Sequence, residues 1–302
     1  MDYRSAAVIV AITLLFSQTL RAAPEECAAL RPELSPDHSA AFPAPGVVVG
    51  VALGSGSKHG FAHIGVIEEL EARGLDVRVV AGTSVGALIG ALWASGMTGR
   101  QIEDFAHSSP WDSLGTFAWS WQGLLSSGQM AKQLRAVFKG RPIETWPRRF
   151  GAVATNLANG HRRLFTSGDG ALAVQASSAA PVLFMPVTIV GEKFADGALV
   201  EPVPVDAAHD LGADFVIAVD VAYRPNEAMA SGVVDYAFQS LHIVTNALGA
   251  RQMRDADVGI GLDLHHLLMS CGNDALIEAG RTAVREAWPE IARKLKSRST
   301  SR

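Results

Sequence analysis

The sequence predicts an α/β domain whose sheet is largely parallel and covered by helices on both faces. Short, continuous runs of Val, Ile and Ala recur along the chain, as in "VVVGVAL" (Val47–Leu53), "VRVVAGTS" (Val77–Ser84) and "DFVIAVDVA" (Asp214–Ala222). Such runs suit strands buried on both faces, the condition of a parallel sheet. Between them lie segments with the apolar spacing of helices, and that alternation is the pattern of an α/β fold. With 302 residues, 48% of them hydrophobic, the chain can bury one large core.

The first apolar run, Ala6–Phe16, follows Arg4 and has the length of a signal-peptide core. It falls short of the roughly 20 residues a spanning helix needs. Residues 1–22 therefore read as an export leader cut after Ala22, which would place the protein in a periplasmic or secreted location; an uncleaved anchor is the alternative. Residues 23–46 contain five prolines and no periodicity, as expected of a surface arm or linker. The catalytic domain is assigned to residues 47–291. Within it, "FAHIGVIEELEARG" (Phe61–Gly74) sets Phe61, Ile64, Ile67 and Leu70 at helical spacing and ends on a glycine suited to a C-cap. "VGALIGALWASG" (Val85–Gly96) is apolar all round, so that helix must be covered on most sides. Further strands are expected at Arg149–Leu157, Val187–Gly191 and Ala256–Leu264. The segment Trp111–Leu125 carries three tryptophans and suits core packing, an acyl pocket, a lid or a membrane-docking edge. Residues 292–302 form a basic tail, read as a solvated, frayed terminus.

Composition removes several functions. Lys and Arg number 26 against 30 Asp and Glu, a net charge of −4, so no basic excess points to a nucleic-acid partner. Cys27 and Cys271 are the only cysteines, which excludes a C-x-x-C redox motif and a cysteine zinc site. In an exported protein the two could pair; otherwise they remain separate thiols. No H-E-x-x-H occurs, and nothing in the motifs demands a metal or other cofactor.

The loop "GSGSKHG" (Gly54–Gly60), between a strand and a helix, is built to hold negative charge. It is not a P-loop, because G-x-x-x-x-G-K-[ST] is absent. A dinucleotide fingerprint starting at Gly54 and Gly56 fails at His59, where the third glycine belongs. Kinase motifs are missing downstream. An oxyanion is the remaining charge, and the next strand supplies a nucleophile to generate it. "GTSVG" (Gly82–Gly86) is a G-x-S-x-G at a strand-to-helix turn, where Ser84 is thrust out and bulky neighbours at 82 and 86 would collide. The helix beginning at Val85 directs its N-terminal partial charge toward Ser84. A base is offered by Asp196 in "FADGALVEPVP", with Gly197 keeping its turn uncluttered.

Taken in order, the glycine loop with "AHIGV", then "GTSVG", then "ADGA" resemble the patatin-like phospholipase family. "RRFGAVATNLANG", "QASSAAPVLFMPV" and "LGADFVIAVDV" extend the likeness toward its bacterial neuropathy-target-esterase-like branch, over roughly Val47–Leu264. The resemblance implies a three-layer α/β/α fold, a Ser84–Asp196 dyad without histidine, lipid ester substrates and no cofactor. Peripheral contact with a membrane would follow from such substrates. It also implies an oxyanion hole from the N–H groups of Gly56, Ser57 and Lys58. The loop departs from the family's G-G-G-x-[RK]-G at Ser55, Ser57 and His59; its backbone donors would survive if φ is negative at those sites. Lys58 is either a compensating cation or a solvated loop residue. Two rival readings stay open. An α/β-hydrolase triad would recruit one of His209, His242, His265 or His266, since its order is Ser, Asp, His. A non-catalytic lipid-binding module on the same scaffold would leave Ser84 unreactive.

Overall fold

The computed structural model describes residues 46–108, 127–223, 232–264 and 272–300. The leader, the arm up to residue 45, the tryptophan-rich segment, both cysteines, His265 and His266 lie outside the described residues. Among the described residues eight strands form one sheet: β1 (Val49–Leu53), β2 (Val77–Thr83), β3 (Arg149–Asn156), β4 (Arg162–Phe165), β5 (Val187–Ile189), β6 (Glu192–Asp196), β7 (Phe215–Asp220) and β8 (Val258–Gly261). Their order is β5-β6-β3-β2-β1-β7-β8, with β4 also paired to β3. The centre is parallel, through β3-β2-β1-β7-β8. One edge is antiparallel, because β4 and β6 run against β3 and β5 against β6. The β5–β6 hairpin turns at Val190 and Gly191, both at positive φ (49° and 80°), as a two-residue turn with the twist of its strands requires.

The helices are α1 (Phe61–Ala72), α2 (Val85–Ala94), α3 (Gly99–Ser108), α4 (Gly128–Phe138), α5 (Gly170–Ser177), α6 (Val205–Asp210), α7 (Val233–Gln252) and α8 (Gly272–Thr300). They make the outer layers of a three-layer α/β/α arrangement. On one face Val51, Leu53, Val80, Phe150, Ile217 and Val219 pack beneath α1, α2 and α8. On the other, the smaller Ala52, Val79, Ala81 and Ala218 receive Val205 and Ala208 of α6. The alternation of large and small residues along β1 is thus the alternation of a thick and a thin layer. Covered on all sides, α2 buries Leu88, Ile89, Leu92 and Trp93, as its uniformly apolar sequence requires.

The C-terminal region differs from expectation. Residues 292–300 are not a frayed tail but the last turns of α8: Ile291 and Leu295 are fully buried. Two of its basic side chains are anchored, Lys294 Nζ donating to the Asp257 carbonyl at 2.7 Å and Arg298 pairing with Asp257. The basic residues lie on the flanks of an amphipathic helix, which composition alone does not separate from a solvated tail. Two glycines let α8 approach α1 at backbone contact. A Cβ on Gly65 would stand 1.8 Å from the Ile277 carbonyl oxygen, and one on Gly280 2.0 Å from that of Ala62. Arg281 and Arg285 then reach Glu68, Glu69 and Glu103 across the interface. Gly280→Val is expected to cost about 1–3 kcal/mol through overpacking, read as a lower urea midpoint at unchanged m. Among the described residues no helix is long and apolar enough to cross a membrane.

Candidate active site

Ser84 is the one residue between the end of β2 and the start of α2, with φ 57° and ψ −121°. That conformation is sparsely populated for an L-residue and exposes the side chain at the tip of the turn. The motif glycines make the turn sterically possible. A Cβ on Gly82 would lie 2.5 Å from Ala87 Cα, and one on Gly86 2.0 Å from the Leu53 carbonyl oxygen.

Asp196 closes β6, and the sheet carries it to the same spot through its register opposite Ala154. A Cβ on Gly197 would meet the Val153 carbonyl oxygen at 2.2 Å, so glycine is required where the chain leaves β6. Ser84 Oγ donates to Asp196 Oδ2 at 2.7 Å, while Oδ1 accepts the Ala198 N–H at 2.8 Å. Only 4% of the Asp196 surface is exposed. Burial pushes its carboxyl up to about 6, against the pull of the Ala198 N–H and the Ser84 hydroxyl.

The glycine loop leaves β1 beside this pair. Gly54 N–H and Ser55 N–H are committed to the carbonyls of Val219 and Pro202. Among the described residues no acceptor takes the N–H of Gly56 or Ser57. A Cβ on Gly60 would come within 2.1 Å of the Val85 side chain, so the loop lies directly against the start of α2. The negative φ expected at Ser57 is not found: its φ is +49°, and among the described residues its N–H is left without an acceptor in this conformation all the same. In this left-handed conformation its side chain shares a hydrogen bond with Tyr223. His59 is buried under the same tyrosine, with ring centroids 3.9 Å apart, and its Nδ1 donates to the Val221 carbonyl. It is therefore a packed structural residue where many family members carry a cation.

Among the described residues no histidine bonds Ser84 or Asp196. His63 is fully buried and its Nε2 donates to the Gly54 carbonyl at 2.8 Å, tying α1 to the root of the loop. Burial presses its imidazole down to about 4, outweighing the pull of that carbonyl, so it is neutral at neutral pH. His209 bonds the Ala213 carbonyl, and His242 stacks on Tyr223. Ser84 and Asp196 meet directly, with no imidazole between them. Among the described residues no three His, Cys, Asp or Glu side chains are grouped to hold a metal ion.

The family model of patatin-like phospholipases matches residues 51–209, over half of the chain, from within β1 through Ser84 to Asp196 and beyond. The chain belongs to the patatin-like phospholipase family. An uncharacterized NTE family protein of Mycobacterium bovis is 34% identical over 179 residues, covering 57% of this chain and 49% of that protein. Lysophospholipase NTE1 of the yeast Meyerozyma guilliermondii is 29% identical over 179 residues, 57% of this chain but 12% of that much longer one. This patatin-like chain thus spans about half the length of the bacterial relative it matches. The crystal structure of VipD from Legionella pneumophila shares the fold, with a TM-score of 0.54 at 14% identity over 83% of this chain and 67% of that one.

Ser84, Asp196, Gly54, Gly56, Ser57, Lys58, Gly60, Gly82, Gly86 and Gly197 all fall in the three segments that converge here. Tyr223 was not legible in the sequence. It follows β7 and carries no motif, and only the fold brings it over the loop.

Proposed function

We propose that this patatin-like domain is a serine lipid acyl hydrolase working through Ser84 and Asp196. The observation that carries the reading is the 2.7 Å bond from the Ser84 hydroxyl to a buried aspartate. Asp196 takes the Ser84 proton as Oγ attacks the ester carbonyl, and the N–H groups of Gly56 and Ser57, with Lys58, receive the oxyanion. The proton passes to the departing alcohol. Water then attacks the acyl-serine with Asp196 again as base, releasing the fatty acid and restoring Ser84. An aspartate at its ordinary pKa of about 4 is a weak base, and burial brings this one nearer to working pH. A lipid ester is the substrate class supported by the family and by its lysophospholipase relatives.

A fluorophosphonate probe should modify Ser84 alone, located by peptide mass spectrometry, and block hydrolysis of a lysophospholipid or a p-nitrophenyl acyl ester. An unmodified Ser84 would favour the lipid-binding reading. The pH dependence follows from Asp196, which acts ionised: kcat/KM should rise through about pH 6 and level off above it. A profile still climbing well above pH 7 would point to another base.

A further inference from the structure

Ser84 sits in a strained backbone conformation, and such geometry persists only where the surroundings over-determine it. What holds it lies 93 residues away, at the end of α5. The Ser84 N–H donates to Ser177 Oγ at 2.9 Å. The Ser178 hydroxyl donates to the Ser84 carbonyl at 3.2 Å, an oxygen that also receives the N–H groups of Ala87 and Leu88 in α2. The next residue turns to the other half of the pair: Ala179 C=O accepts the Asp196 N–H at 3.0 Å. Three consecutive residues therefore grip both ends of the Ser84–Asp196 bond.

The grip is itself fixed. Ser177 has no exposed surface, and Ser178 N–H closes on the Val174 carbonyl at the end of α5. At its other end α5 is capped by Asp169, whose carboxylate accepts two N–H groups of the first turn and pairs with Arg135. Ala171, Ala173 and Ala176 are buried small residues along the helix. The serines are thus presented by a capped helix rather than by a loose loop.

We infer that Ser177 and Ser178 are positioning residues, which hold the nucleophile's peptide units in register with the base that Ala179 anchors. The inference rests on the Ser84–Asp196 reading. Neither serine has to touch the substrate. Ser177 accepts the one backbone donor of Ser84, so its loss frees the peptide unit before Ser84 to rotate and lengthens the bond to Asp196.

Three variants test this: Ser177→Ala, Ser177→Thr, which keeps the oxygen, and Ser178→Ala. Each is checked first for folding by circular dichroism. Ser177→Ala should lower kcat about 10- to 100-fold, the scale of one unsatisfied buried N–H, with KM within about twofold. Ser177→Thr should recover most of that loss, and Ser178→Ala should cost about 3- to 10-fold because its bond is longer and its partner already satisfied. The discriminating readout is the acid limb of kcat/KM. The Ser84 hydroxyl bond holds the Asp196 carboxyl down, so slackening it should shift the limb to higher pH. A folded Ser177→Ala with unaltered kcat, or one with reduced kcat but an unmoved limb, overturns the inference. If Ser177→Ala does not fold, the same two criteria applied to Ser178→Ala decide it. Failure of the underlying reading looks different, because Asp196→Asn or Ser84→Ala would then remain active.

Discussion

Ser84→Ala and Asp196→Asn are each expected to lower kcat on the order of 10⁴-fold or more, and the double variant should be little worse than either single one. Residues acting as one unit lose their whole contribution when either is removed. The side chains share a single 2.7 Å bond, so neither has a second partner of its kind to fall back on. Stability should move the other way for the aspartate. Its folded-state carboxyl is raised to about 6 by burial, so between its unfolded value near 4 and pH 6 the native state binds more protons. Stability contributed by this group is therefore lost as pH rises through that window. Asp196→Asn, which carries no charge to bury, should melt above the wild type at pH 8 and draw level with it near pH 4. Steady-state kinetics on an acyl ester, with thermal melts at the two pH values, check both parts. Substantial activity in Asp196→Asn, with loss instead on replacing a histidine, would move the protein to the triad class.

Gly56→Ala is expected to reduce kcat by about 100- to 1000-fold, equivalent to about 3–4 kcal/mol of transition-state stabilisation. The added Cβ would fall 2.4 Å from the backbone oxygen of Val221, which cannot yield as a flexible side chain would. The loop must lift from β7, carrying the N–H groups of Gly56 and Ser57 out of position. Gly56→Pro should be at least as severe, since it also deletes one donor. Ser57→Gly is the counterpart. It keeps the N–H and relaxes a residue held at φ +49°, while giving up the hydrogen bond with Tyr223. Its kcat should stay within about fivefold of wild type, because oxyanion stabilisation needs the N–H rather than the hydroxyl. Measuring kcat and KM for both, after circular dichroism, separates the cases. A folded Gly56→Ala with near-normal kcat would remove the loop from the oxyanion role.

The signals legible in the amino-acid sequence are local. Ser84 was recognisable because a strand-to-helix turn tolerates only small residues at 82 and 86, and that steric demand is written within five letters. The same holds for Gly54–Gly60 against the start of α2, and for Gly197 behind Asp196. Strands such as β1 and β7 were legible because burial on both faces leaves a continuous apolar run. Which distant groups meet depends on how the strands pair. Ser84 and Asp196 lie 112 residues apart, and the antiparallel β6 that delivers the aspartate is placed by its pairing with β3 rather than by any periodicity of its own. Ser177 and Ser178 fall in "QASSAAPVLFMPV", which carries the family likeness but not their role, and Tyr223 carries no motif at all, since a serine or tyrosine reads the same whether it faces water or the nucleophile. The basic C-terminal segment likewise reads as a tail until α1 is present, with Gly65 against Ile277 and Gly280 against Ala62, because a helix shows its buried side only against the surface that buries it.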